Sequence, residues 1–171
     1  MGSVHFLRGG KKMIKLNEKI KNALIAMNFV KRYEELSKRF NEERTPDSGR
    51  LEYIDGEEVM EMIQNLGYTP LFDKKEKFYK IKEEKISDYT FGFHIVLAYG
   101  MVDFVWIVKE AEELLLGAPW SVYSRRLIDV NYRIKKPIIG TYEDIEKILG
   151  IAFQMYEDFK KEILNNQGEG L

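Results

Sequence analysis

Only two histidines occur in the 171 residues, and cysteine is absent. Nucleophilic catalysis needs a base such as His within reach of Ser, Thr or Cys. His5 stands in a leader-like start, which leaves His94, inside the run FGFHIVLAYGMVDFVWIV (91–108) that also holds Asp103. If this run folds back at AYG, two registers are open. A three-residue loop sets His94 opposite Phe104 and Ile95 opposite Asp103, so that His and Asp lie on opposite faces. A two-residue loop sets Val96 opposite Asp103, and His94 and Asp103 then share a face as diagonal neighbours. A His–Asp dyad is compatible with the second register and demanded by neither. A lone His among hydrophobic residues is more often a hydrogen-bonded core residue.

Metal and phosphate chemistry find less support. EAEE (110–113) and YEDIE (142–146) could hold Mg²⁺ through carboxylates, but a charge run on a solvated helix face is commoner. HExxH and thiolate ligands are missing. GKK (10–12) follows no strand and lacks the GxxxxGK[ST] pattern. No catalytic residue, metal or cofactor is assigned.

Recognition chemistry is better represented. Residues 1–40 hold ten Lys/Arg against three Asp/Glu, whereas 41–171 hold seventeen against twenty-five. A basic arm suits nucleic acid. The basic residues are spread around the helix, however, which favours docking on the acidic body of the same chain. YSRRLIDVNYRIKK (123–136) interleaves Arg and Lys with Tyr and is a second basic candidate. A nucleic-acid-binding regulator using either segment is the alternative reading. The first is a protein-binding surface. GAPWSVY puts Trp120 and Tyr123 just after Glu110, Glu112 and Glu113. An aromatic anchor ringed by acids suits a basic partner, the charges hastening encounter. Those five residues are the candidate contact set, with Trp120 as a core cap the competing interpretation.

The elements that must position them follow from periodicity. Apolar residues at helical spacing from Leu16 to Phe40 predict one long helix, or two with a bend near Met27–Val30. TPDSGR (45–50) stops it. Asp55, with Glu58 three residues on, caps a second helix that ends at Gly67. EKFYKIKEEKI (76–86) predicts a half-exposed strand. Tyr89–Leu97 and Met101–Val108 predict a hairpin with Gly100 left-handed, its continuous apolarity that of strands covered on both faces. KEAEELLLGAPW either extends the second strand or forms a short helix, and 121–130 predicts a helix capped by Ser121. Thr141, with Asp144 three residues later, opens a long C-terminal helix through Ile163. The fold class is α+β: an antiparallel sheet of about four strands packed by helices. One domain spans 13–166, after a disordered leader or cloning remnant (1–12) and before a frayed tail (167–171). The longest apolar run is broken by Gly100 and Asp103, short of the roughly 20 residues a membrane-spanning helix needs.

The hairpin FGFHIVLAYGMVDFVWIV, the GAPW loop and the closing helix TYEDIEKILGIAFQMYEDFKKEI together resemble small immunity proteins of bacterial polymorphic-toxin systems. The resemblance implies a cytoplasmic, non-enzymatic protein that blocks a cognate toxin by occlusion. Acidic and aromatic residues would sit at the contact. No functional residue carries over by motif.

Overall fold

The N-terminal apolar stripe divides where Asn28 takes left-handed backbone (φ 61°), giving α1 (Glu18–Ala26) and α2 (Phe29–Arg39). The bend thus falls at Met27–Asn28, inside the expected interval. A computed structural model describes residues 15–166; the leader and tail lie outside them. Asp55 caps α3 (Gly56–Asn65) by accepting from the Glu57 N–H, and Gly67 follows with φ 97°. Six strands come next: β1 (Pro70–Asp73), β2 (Phe78–Ile81), β3 (Glu84–Ile86), β4 (Tyr89–Ala98), β5 (Met101–Glu110) and β6 (Glu113–Pro119). Then come α4 (Trp120–Leu127) and α5 (Tyr142–Asn166).

The sheet is antiparallel, in the order β1-β2-β4-β5-β6, with β3 also paired to β4. The architecture is α+β with six strands rather than four. The expected strand at 76–86 is two short ones, both on the same side of β4: β2 opposite His94–Ile95 and β3 opposite Tyr89–Phe91. The β4–β5 turn is the two-residue alternative, Tyr99–Gly100, with both residues left-handed (φ 57° and 72°). That is the geometry that matches strand twist. A Cβ on Gly100 would stand 2.6 Å from Cβ of Arg50, so this position is closed to other residues twice over.

Burial along β5 alternates strictly from Met101 to Val108. Val102, Phe104, Trp106 and Val108 face the helices, while Met101, Asp103, Val105 and Ile107 face away, half-exposed. The expectation of a sheet covered on both faces is therefore corrected to one covered face. On the covered face Trp106 stacks on Phe159 of α5 (4.5 Å, 14°), and Phe93 packs on Phe153 and Tyr156. Such pairs add to the large apolar area each ring removes from water.

The helix at 142–166 begins as its residues dictate. The Asp144 N–H donates to the Thr141 hydroxyl (3.0 Å), and the Gly140 and Thr141 N–H groups donate to the Asp144 carboxylate (2.8 and 3.3 Å). Arg44 closes the site from the N-terminal half at 2.8 Å. Burial by itself would raise the Asp144 carboxyl, but the Arg44 hydrogen bond and the Gly140 N–H lead the effects that outweigh it and hold it below its ordinary value. A carboxyl depressed in the folded state adds stability above its unfolded value of about 4, lost as pH falls through the folded one. Asp144→Asn is expected to lower stability at neutral pH and to flatten its loss below about pH 4. Urea titrations at several pH values check this; acid limbs of identical slope in both proteins would refute it.

Candidate functional site

The five candidate contact residues separate into two groups. Glu110, Glu112 and Glu113 gather at the β5–β6 turn, which forms because Ala111 takes a left-handed conformation (φ 55°). The Ala111 N–H donates to the carbonyl of Asp88 (2.8 Å), so the β3–β4 turn is tied to the same corner. Glu112, Glu113 and Asp88 are exposed there. Glu110 is already engaged: Lys19 of α1 donates to both its carboxylate oxygens (3.0 and 2.9 Å) and to the Tyr89 hydroxyl (3.0 Å). Those acceptors, Tyr89 first, raise the Lys19 ammonium above its ordinary value.

Trp120 and Tyr123 do not join this corner, and the surface-anchor expectation for both is corrected. Trp120 is 0 % exposed and opens α4, with Pro119 rather than Ser121 at the cap position. Its ring lies 4.5 Å from Phe104 and 5.1–5.2 Å from Phe29, Tyr33 and Trp106. Tyr123 reaches between β5 and β6, where its hydroxyl donates to the Ala118 carbonyl (2.6 Å) and accepts from the Trp106 N–H (3.1 Å). Burial pushes this phenol far above its ordinary value. The physical reason is amphipathic: α4 turns its aromatic side onto the sheet, away from solvent.

The segment KEAEELLLGAPW extends the second strand only to Glu110 and forms no short helix; it turns at Ala111–Glu112 and returns as the separate strand β6, which supplies what the sequence did not show. It is an edge strand of seven residues. Among the described residues its outer backbone groups have no backbone partner. Leu114 is 59 % exposed beside Glu113. The opposite edge, β1, is blunted by shortness and by Pro70. β6 is longer, with a bulge at Leu115 in its middle and Pro119 only at its end, and an edge strand that leaves its outer groups open on either side of a bulge can still pair with another chain.

The two basic segments are engaged within the chain only in part. In the first, Lys19 and Arg32 pair with Glu110 and Asp158, and Arg44, just beyond it, pairs with Asp144. In 123–136, Lys135 pairs with Glu42 and Lys136 with Asp103 (3.5 Å), while burial, then the neighbouring Arg125, lowers Arg126. His94 and Asp103 share a face, but His94 stacks on Phe78 (4.4 Å) and Asp103 turns to Lys136. Burial, then Lys80, lowers His94 below its ordinary value. No group of three or more His, Asp or Glu among the described residues is arranged to hold a metal ion.

One cluster escaped sequence reasoning. Lys160 of α5 is 5 % exposed and donates to Glu84 (2.7 Å), and it pairs with Glu157 (2.9 Å). Tyr156 donates to Glu84 (2.9 Å) and Tyr68 to Glu157. Burial leads the effects that raise both phenols. The polar atoms are satisfied by one another, which makes the cluster a tie between α5, β3 and the α3–β1 connection. The signal was present: Lys160 falls on the apolar stripe, four residues after Tyr156 and three before Ile163.

Comparison with protein-family models, with curated proteins and with solved structures finds no match. No helix among the described residues is long and apolar enough to cross a membrane.

Proposed function

We propose that the chain is a non-enzymatic protein-binding module, an immunity-type inhibitor that neutralises a cognate bacterial toxin in the cytoplasm by occlusion. The observation that carries this reading is β6, a seven-residue edge strand with exposed Leu114 that starts at an acidic corner. Main-chain pairing along an edge supplies affinity, and the flanking side chains supply choice. Asp88, Glu112 and Glu113 favour a basic partner and speed its approach. In this reading the acidic corner keeps the role first assigned to it, and Leu114 replaces Trp120 as the apolar contact.

The test is capture from the native host with the immobilised protein, followed by titration of the purified partner. Wild type is expected to hold one stoichiometric partner protein. The double variant Glu112→Lys/Glu113→Lys is expected to weaken binding at least tenfold, mainly at low salt, with an unchanged melting temperature. Equal affinity of the charge-reversed variant would remove the acidic corner from the contact.

A further inference from the structure

The uncovered face of the sheet carries a second pattern, centred on β2 and β4 and reaching β6 only where Lys109 pairs with Leu114. Strand register places Lys80 beside His94, and Lys85 and Lys109 on either side of Thr90. Lys82 joins Lys80, Gly92 and His94 around a cleft of about 480 Å³. That volume is within the range of small-ligand clefts. The cleft has a physical origin. The chain leaves β4 between β2 and β3, and Gly92 adds no side chain to its floor. At its margin Phe78 and His94 stack, with rings 4.4 Å apart and 26° from parallel, both half-exposed.

The charge around the cleft is mainly basic, and only Lys85 and Lys109 stand one register step from the acidic corner. None of Lys80, Lys82, Lys85 and Lys109 makes an ion pair among the described residues. Asp103 is matched by Lys136, and the Asp73 carboxylate accepts from the N–H groups of Lys75 and Glu76. Glu83 is the one acid on the cleft lining. Two unpaired ammonium groups beside a planar, half-exposed pair, with two more four residues further along β4, ask for a ligand that is polyanionic, extended and flat in part. An acidic peptide meets the first two requirements and leaves the third without purpose.

We propose that the open face of the sheet binds single-stranded nucleic acid, with a base against the Phe78–His94 pair and phosphates on Lys80, Lys82, Lys85 and Lys109. Stacking on side chains tolerates any base, and lysines that track the backbone add affinity without sequence choice. Neighbouring strands stand about 4.8 Å apart and residues rise about 3.3 Å along each. The four lysines therefore span the length of a few nucleotides.

Fluorescence anisotropy with a labelled oligouridylate or oligothymidylate of about twelve nucleotides tests this, read at low and at moderate salt. Wild type is expected to bind, with log affinity falling against log salt at a slope of about −2 to −3, as three or four phosphate contacts require. Phe78→Ala/His94→Ala is expected to weaken binding roughly tenfold with little change in that slope. Lys80→Glu/Lys82→Glu is expected to abolish binding, and Glu83→Gln to strengthen it. Lys135→Glu, in the other basic segment, should leave binding unchanged. All of these side chains lie at the surface, and circular dichroism confirms that each variant is folded. Absence of binding at about 50 mM salt, where such contacts are strong, overturns the proposal. So does binding that survives both double variants. Displacement by polyglutamate at equal charge, with no effect of Phe78→Ala/His94→Ala, would show instead an acidic-peptide surface.

Discussion

Replacing Trp120 by alanine is expected to destabilise the fold by about 3–5 kcal/mol, the usual range for emptying a buried Trp site. For a chain of this size that lowers the melting temperature by roughly 6–20 °C. The indole contacts Phe29, Tyr33, Phe104 and Trp106 at once, so that no single neighbour can move in to fill its place. Trp120→Phe should behave differently. It keeps most of the volume, and it removes an indole N–H that has no hydrogen-bond partner among the described residues. Its cost is expected to stay below about 1.5 kcal/mol. Urea unfolding of the two variants decides between core and surface roles. An exposed anchor would show almost no stability change in either.

Lys160→Met is the second large effect. Removing the ammonium leaves Glu84 and Glu157 facing each other without their shared counter-charge. Breaking a buried pair by deleting one partner costs about 3–5 kcal/mol. Both carboxylates reach water in part, at 34 % and 43 % exposure. The expected loss is therefore about 2–4 kcal/mol, discounted for that solvation. Adding Glu84→Gln and Glu157→Gln to Lys160→Met should recover part of the loss, because the uncompensated charges go with it. If the triple variant is less stable than Lys160→Met alone, the tie is held by packing and not by charge.

What could be read beforehand depended on how local the governing physics was. Thr141 and Asp144 announce the start of α5 because a capping box is settled within four residues. The break at Asn28 was legible as a broadening of the apolar stripe. By contrast, LLLGAP (114–119) contains four good helix formers, three Leu and Ala118, and only pairing with β5 makes it a strand. β1, four residues led by a proline, has too little periodicity to register. The continuous apolarity of β5 concealed a half-open face, since Val105 and Ile107 look the same in sequence whether a helix or solvent lies above them. GAPW is no loop, since Gly117–Pro119 end β6 and Trp120 opens α4, and the direction of the Trp120 side chain was set by Phe29 and Trp106, remote in sequence. In the candidate site the acidic residues were therefore legible and the strand beside them was not.

The proposed docking surface for a partner protein is β6 with its acidic corner. Hydrogen exchange of the chain, free and saturated with the captured partner, tests it most directly. The account predicts new protection of the outward amides of Glu113–Ala118 and of the Ala111–Glu113 turn, with the 123–136 segment and the open sheet face unchanged. Protection centred on either of those surfaces, with β6 exchanging as in the free protein, would contradict it.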